Sequence, residues 1–280
     1  MPVLIKNASG ELESFDIEKL RTSLKKARAS DQAIESIIRI IESEIEEGMT
    51  THDIYKHALA LLLKTEERPV AARYSLRRAL MQLGPSGFPF ESYLAELFKA
   101  QGFTTETDIT LKGKCVAHEI DVIGHKPGEL ALIEAKFHNE YGYKTDVKVA
   151  LYIRARFDDL KDTQFDGRLK TGDQCRCLLV TNTKFTRSAI EYGECAGITL
   201  IGWGYPDDGS LQDLIETAAL HPLSCLTTLS HKEKGDLHGR GVVLCRSVLK
   251  NKDILRTVGL SDEKIRFVLE EAERLCIPGA

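Results

Sequence analysis

Apolar and polar positions alternate over Val3–Lys6, break at Asn7-Ala8-Ser9-Gly10, and resume over Leu12–Phe15. Runs of that period are strands, and an Asn/Ser/Gly cluster between two of them is a turn, so the pattern predicts a short opening hairpin. From Asp16 the period lengthens. Leu20, Leu24 and Ala27 recur at helical steps, as do Ile34, Ile37, Ile38, Ile41 and Ile45. This predicts one helix capped by Asp16, without a capping box because Lys19 stands three residues on, and a second over Asp31 to about Glu47. A third helix is expected over Thr51 to about Leu63, with Thr51 as its cap, and a fourth over Val70–Leu83. The pattern stops at Gly84-Pro85-Ser86-Gly87-Phe88-Pro89. Two glycines and two prolines there leave no regular element, which makes it the clearest domain boundary.

Beyond it, Phe90, Tyr93, Leu94, Leu97 and Phe98 form one helical stripe, ended by Gly102. Glu91 lies about 90° from the stripe centre. It is in the first turn, where the helix dipole favours an anion. Glu96 lies about 130° away, toward solvent. Alternation and β-branching predict a strand over Lys114–Ile123, a turn over Gly124–Gly128 and a return strand over Glu129–Lys136. Further strands near Cys175–Thr181 and Ile198–Trp203 follow, with helices over Asp146–Leu160 and Phe185–Cys195, the latter with Thr183 as a cap. Together they complete an α/β domain with a mixed sheet.

Composition narrows the class. Of 280 residues, 42% are apolar and 29% charged, a globular mix that excludes a largely disordered or collagen-like chain. No apolar run nears the roughly 18 residues of a membrane span. The start MPVLIKNASGELESFD has neither a long apolar stretch nor a small-residue cleavage site, so no signal peptide is expected. Seven cysteines without paired spacing point to reduced thiols and a cytoplasmic protein. The net charge of −4 does not mark a nucleic-acid binder, and residues 81–220 carry 15 Lys/Arg against 21 Asp/Glu. Such a segment suits a phosphate-binding surface only if some carboxylates hold a metal; a solvated mixed surface explains the charge as well.

A hairpin centred between Pro127 and Gly128 sets Asp121 opposite Glu134, and the two-residue period puts Glu134 and Lys136 on one side. Directly opposed residues have Cβ atoms only about 5 Å apart, so the two acids repel unless a cation joins them. Two carboxylates with water and a phosphate oxygen make a hard-cation site suited to Mg²⁺. Such an ion acidifies water and neutralises charge on a phosphoryl transition state. Lys136 would orient or deprotonate the attacking water, or stabilise developing charge. His118 is expected on the other face of a straight strand. His138 shares the side of Glu134 and Lys136, where it meets a phosphate on one reading and is an ordinary satisfied histidine on the other. Neither has a zinc-ligand spacing. Lys144, Lys148, Arg154 and Arg156 follow a DNA backbone on one reading and form a solvated face on the other. No nucleophile elbow and no phosphate-cradling glycine loop are present.

The order of these pieces resembles two known families. VLIKNASGELESFDIEKL, THDIYKHALALLL and AARYSLRRAL, spanning about residues 3–80, resemble the ATP-cone domain, the nucleotide-sensing module that opens many ribonucleotide reductases and their transcriptional regulator. The resemblance implies binding of ATP or dATP. Lys6 matches the first-strand lysine, Lys19 the first-helix lysine, and Tyr74 and Arg77 fall in the closing AxRY pattern. Lysine offers phosphate a point charge and arginine a two-pronged one. The family often has Lys-Arg on the first strand; here Asn7 follows Lys6, which removes one phosphate ligand.

Asp121, then Glu134-x-Lys136 across a hairpin, preceded by FESYLAELFKAQGF and followed by LLVTNTKFTRSAIEYGECAGITLIGW, resembles a PD-(D/E)xK nuclease core, most of all the type IV restriction, or Mrr-like, catalytic domain. This resemblance covers about residues 88–204. It implies Glu91 as the helix acid, Asp121 and Glu134 as ligands of Mg²⁺ or Mn²⁺, and Lys136 as the catalytic lysine. Ile120 stands where the motif has proline.

Residues 231–256 carry seven Lys/Arg against Glu233, Asp236 and Asp253. DILRTVGLSDEKIRFVLEEAERL predicts helix, turn and helix, with Ser261 capping the last. It looks like half of a helix–hairpin–helix unit, whose turn amides meet a DNA phosphate; a plain packing tail reads equally well. The expected fold class is therefore α/β: a mixed-sheet restriction-endonuclease-like core, an α-rich N-terminal ATP-cone domain and a small helical C-terminal tail. The domains are expected at residues 1–84, 85–220 and 221–280. The expected function is a metal-dependent DNA endonuclease regulated by ATP or dATP. The rival is a catalytically inactive, nucleotide-sensing DNA-binding regulator, and a third reading is cleavage of RNA or Holliday junctions by the same core. The expected partners are DNA, a nucleotide and further copies of the chain, with no membrane.

Overall fold

The computed structural model of the chain describes residues 3–66, 68–84 and 88–276. The chain forms two compact units, one of residues 1–80 with 219–280 and one of residues 81–218. In the first, β1 (Leu4–Lys6) and β2 (Leu12–Ser14) pair antiparallel. Asn7 closes their turn: its side-chain oxygen accepts from the Ser9 N–H (3.0 Å), the Ser9 hydroxyl (2.7 Å) and the Glu11 N–H (3.0 Å). Asn7 is thus a turn residue by construction. Helix α1 (Ile17–Lys26) is capped by Asp16. Helix α2 (Asp31–Glu44) is capped by Ser30 and stops short of Glu47, because Ile45 turns extended ahead of Gly48 at φ +83.

Helix α3 (Thr51–Thr65) is capped by Thr50, not Thr51, in a reciprocal box with Asp53. The predicted fourth helix is two, α4 (Arg68–Tyr74) and α5 (Leu76–Met81), with the break at Ser75, whose hydroxyl donates back to the Ala72 carbonyl. Ile5, Leu20, Leu24, Ile34, Ile37 and Leu62 belong to one buried cluster.

In the second unit, helix α6 (Phe88–Ala100) begins two residues earlier than the apolar stripe suggests. Pro89 lies in its first turn, where a missing N–H costs nothing. Linker residues 85–87 lie outside the described residues. Gly102 follows at φ +88. Next come β3 (Thr104–Lys112), which the sequence reading missed, then β4 (Ala117–Lys126), β5 (Glu129–Lys136) and a short β6 (Lys144–Thr145). Helix α7 (Val147–Lys161), β7 (Gln174–Thr181), short β8 (Lys184–Phe185), α8 (Arg187–Ala196), β9 (Ile198–Ile201) and α9 (Leu211–Ala218) complete it. Thr186 caps α8, not Thr183, which is buried two residues beyond β7.

The main sheet has the order β3-β4-β5-β7-β9. The first three strands are antiparallel; β7 is parallel to β5, and β9 to β7. Parallel neighbours need a crossover, and α7 and α8 supply the two. Leu111, Ile120, Ile123, Leu132 and Leu160 form one core cluster, and Ala150, Ile153, Cys177, Leu179 and Leu200 belong to another. The result is a mixed α/β protein around a five-stranded mixed sheet.

The chain then returns to the first unit through α10 (His231–His238), α11 (Cys245–Lys250), α12 (Asp253–Thr257) and α13 (Asp262–Leu275), with Ser261 capping α13. The Ser224 hydroxyl donates to the Ala79 carbonyl at 2.8 Å, and Arg73 of α4 donates to the Arg274 carbonyl at the end of α13 at 3.2 Å. The helical tail is thus bonded to the cone-like segment. All seven cysteines are free thiols. Among the described residues, no helix is long and apolar enough to cross a membrane.

Candidate functional site

The backbone ladder between β4 and β5 runs from Lys126↔Glu129 to Val122↔Ile133, the register set by a turn centred between Pro127 and Gly128. One step further the ladder stops and a side chain takes over. Oδ2 of Asp121 accepts the Ala135 N–H at 2.7 Å. On the other flank, β3 pairs Thr107 with Val122 and Ile109 with Ile120, so Asp108 falls opposite Asp121. Asp108 has φ +59, a left-handed conformation rare for a non-glycine residue. Three acids, Asp108, Asp121 and Glu134, therefore occupy one row across three strands.

Side-chain alternation changes phase at this row. Ile120 and Ile123, three residues apart, join the same cluster beneath α7. His118, two residues before Ile120, faces α7, with Nε2 2.7 Å from Asp159 Oδ2.

The electrostatics of the row are strained. Burial, followed by the charge of Asp121, pushes the Glu134 carboxyl up to about 7, against the pull of Arg156 and Lys136. Asp121 is also raised, by burial first, with the Ala135 N–H, Arg156 and Lys136 opposing. Glu91 on α6 is raised by burial and then by Asp121, Asp108 and Glu119, which places it within electrostatic reach of the row. Glu119 is raised chiefly by its hydrogen bond with Asp108. Lys136 ends β5 with its side chain exposed.

Arg156 on α7 is the feature that sequence reasoning misread. It is only 9% exposed, and its Nη1 donates to Glu134 Oε2 at 2.6 Å. Its Nε is buried without a hydrogen-bond partner, and its guanidinium lies 5.2 Å from the Tyr152 ring centre. It is therefore not part of a solvated helix face. The one available signal was that Arg156 shares the helical phase of buried Ile153 and Leu160 rather than that of the exposed positions. Arg154 turns away, to Asp158 and the Ala196 carbonyl. Lys144 and Lys148 are exposed.

His138 is held in place by a network. Its Nε2 lies 2.9 Å from Thr145 Oγ1, and that hydroxyl donates to Thr181 Oγ1 at 3.1 Å. Asn182 accepts the His138 N–H and donates to its carbonyl, both at 2.8 Å. Burial, aided by the charge of Lys136, pushes the imidazole down to about 4, so it is neutral near pH 7. This satisfied histidine fixes the loop after Lys136 to the end of β7.

The donor set fits a hard cation. Two half-buried, mutually repelling carboxylates offer oxygen ligands, and Arg156 already supplies positive charge to one of them. Among the described residues, no three His, Cys, Asp or Glu side chains form a ready-made cage.

The nucleotide candidates fall in two places. Lys6 ends β1, with its backbone N–H on the Met49 carbonyl and its side chain exposed. Lys19 lies 3.6 Å from Glu13, whose other oxygen meets Asn7 Nδ2 at 3.5 Å. Tyr74 stacks on Tyr55 with ring centres 5.3 Å apart, nearly parallel, and burial pushes its hydroxyl well up. Arg77 is half-buried one turn further on. His52 stacks beyond Tyr55, and Arg78 lies over the Tyr55 ring. Sequence reasoning missed this aromatic column, although His52 and Tyr55 share a face of α3 at a spacing of three.

A family model described as "ATP cone domain" matches residues 3–82, one described as "Restriction endonuclease" matches residues 84–204, and one described as "AF1548-like, C-terminal" matches residues 221–276. An uncharacterized protein of Archaeoglobus fulgidus is 37% identical over 183 residues, which are 65% of this chain and 99% of that protein. The crystal structure of a protein of unknown function, AF1548, is 35% identical, with a TM-score of 0.52 over 68% of this chain and 98% of that one.

Proposed function

The chain belongs to the family of its Archaeoglobus fulgidus relative, with an ATP cone, a restriction-endonuclease domain and an AF1548-like C-terminal domain in that order, and on that premise we propose that it is a metal-dependent DNA endonuclease regulated by ATP or dATP. The observation that carries the reading is the adjacency of Asp121 and Glu134, two half-buried carboxylates whose mutual repulsion is opposed by the Ala135 N–H, Arg156 and Lys136.

Asp121 and Glu134 would hold Mg²⁺ or Mn²⁺, which supplies charge neutralisation at a scissile phosphate and a more acidic water. The Ala135 N–H fixes the Asp121 carboxylate, and Arg156 fixes that of Glu134. Lys136 orients the attacking water and stabilises negative charge on the phosphate. Glu91 adds negative charge at the edge of the row. On the cone, Lys6 and Lys19 would meet phosphates, while Tyr74 and Arg77 would act from the second of the two places.

The test is plasmid cleavage in Mg²⁺ or Mn²⁺, with Asp121→Ala and Lys136→Ala beside wild type and with ATP or dATP added. Metal-dependent cutting lost in both variants supports the reading. Equal, intact plasmid in all lanes across several DNA forms sinks it and favours a DNA-binding regulator that does not cut. The Arg156–Glu134 bond speaks for that second reading, because it already neutralises one carboxylate without a metal. Calorimetry with ATP and dATP decides the cone separately; no heat from either nucleotide removes the regulatory part.

A further inference from the structure

Two tyrosines beside the carboxylate row are left outside the core. Tyr143 is 53% exposed and Tyr152 is 59% exposed, with Leu151 exposed beside it. Tyr143 contacts the loop that follows β5, and Tyr152 is one side-chain contact from Glu134 on β5. Tyr143 packs on His138 at 4.3 Å between ring centres, two residues beyond Lys136. Tyr152 lies against Arg156, which is bonded to Glu134. Lys148, Tyr152 and Arg156 recur at four-residue steps on one face of α7. A path of cation, aromatic and cation therefore leads from the surface to Glu134, and Lys144 follows Tyr143 directly.

We propose that Tyr143 and Tyr152 form a stacking platform for unpaired bases, so that the substrate class is DNA that is single-stranded at the bond to be cut. The proposal rests on the nuclease reading for the position of the cut, but the platform itself is a binding claim. A duplex presents phosphates and base edges to a protein, whereas only an unpaired base offers its face to an exposed ring. Lysines spaced between the rings follow the backbone of such a strand. A solvent-facing tyrosine whose inner side is taken up by a buried arginine has its outer face left for a base.

The test uses the full chain and a short fluorescein-labelled DNA strand, free or annealed to its complement, read by anisotropy without Mg²⁺ and by cleavage with it. Tyr152→Ala weakens single-strand binding by about tenfold or more, the range of one lost base–aromatic stack, and Tyr152→Phe stays near wild type. Duplex binding by Tyr152→Ala changes by less than about threefold. Tyr152→Phe keeps the ring on Arg156, and thermal melting of each variant beside wild type separates a binding effect from misfolding. Equal losses on both DNA forms, tighter binding of the duplex by wild type, or no binding of either form overturns the proposal. Tyrosine-dependent single-strand binding without any cutting would instead remove the nuclease reading and leave the platform standing. Cutting of duplex that ignores Tyr152 does the reverse.

Discussion

The Ala135 N–H donates to Asp121 Oδ2 at 2.7 Å, at the step where the backbone ladder between β4 and β5 ends. Asp121 thus has two duties, to accept a strand amide and to carry charge toward Glu134. The duties separate by substitution. Asp121→Ala leaves the amide without its acceptor, at a cost of about 1–2 kcal/mol. Asp121→Asn keeps an oxygen for the amide and removes one of two repelling charges. Metal-free urea melts should therefore place Asp121→Asn at or above wild type and Asp121→Ala below it, while both lose metal-dependent cutting. An Asn variant as unstable as the Ala variant would show that the amide bond is not what Asp121 contributes to the fold.

Arg156 stands where a cation is required. Its removal leaves the half-buried Glu134 carboxyl beside Asp121 without its cation, and breaking a pair from one side costs at most about 3–5 kcal/mol, the range for full burial. Arg156→Ala should lower the metal-free melting temperature and should gain more than wild type from added Mn²⁺, because the ion takes over the missing charge. The measurement is thermal melting across a Mn²⁺ titration. Equal metal stabilisation of variant and wild type would separate Arg156 from the proposed metal site.

Most of the core was legible because periodicity carries it. The register that opposes Asp121 to Glu134 follows from a two-residue turn at Pro127-Gly128, and the β5 limits follow from its run of apolar residues. Strand β3 was missed because its alternation sets Thr against Glu and Asp, with little apolar contrast until Ile109 and Leu111. The break of the ladder at Asp121 was illegible, since it depends on a side chain replacing a backbone partner and on the left-handed Asp108 across the sheet. Arg156 was misread because a charged residue on a helix is solvated by default, and only the tertiary position of Glu134 makes its burial favourable. In the cone, Lys6 and Lys19 were placed by motif alone, whereas the Tyr55–Tyr74 stack needs two helices brought together.

Glu134 gives the metal-free protein a pH dependence of definite sign. Its folded-state value of about 7 lies above that of an unfolded glutamate. Between those values the native state binds more protons than the unfolded one, so this group lowers stability as pH rises through the window. Glu134→Gln does not titrate, and its amide oxygen still accepts from Arg156. Wild type and variant should melt alike near pH 5. By pH 8 the variant should be the more stable, by up to about 3 kcal/mol, which is the full worth of a shift of that size. Saturating Mg²⁺ should narrow the gap, because the ion binds only the wild-type carboxylate. The check is a pair of denaturation curves at each pH, and a gap that fails to widen toward alkaline pH would refute the assignment.

Glu271 does for the first unit what Arg156 does for the second. It is 2% exposed on α13 and accepts from the Thr227 N–H (2.7 Å), the Thr227 hydroxyl (2.7 Å) and the Thr228 N–H (3.0 Å). The same hydroxyl lies 3.4 Å from Arg68 Nη1 of α4, and Arg73 of α4 holds the last turn of α13 through the Arg274 carbonyl. Helices α4 and α13 therefore share one polar seam, and the helix that carries Tyr74 is supported by the tail. Glu271→Ala leaves buried donors without an acceptor and should cost about 2–4 kcal/mol. Glu271→Gln, which keeps an acceptor, should cost less. Hydrogen exchange reads the effect by position: faster exchange in Arg68–Met81 and in α13, with the strands β4, β5 and β7 unchanged. If α4 keeps wild-type protection in Glu271→Ala, the tail does not brace the cone and the seam carries no energy.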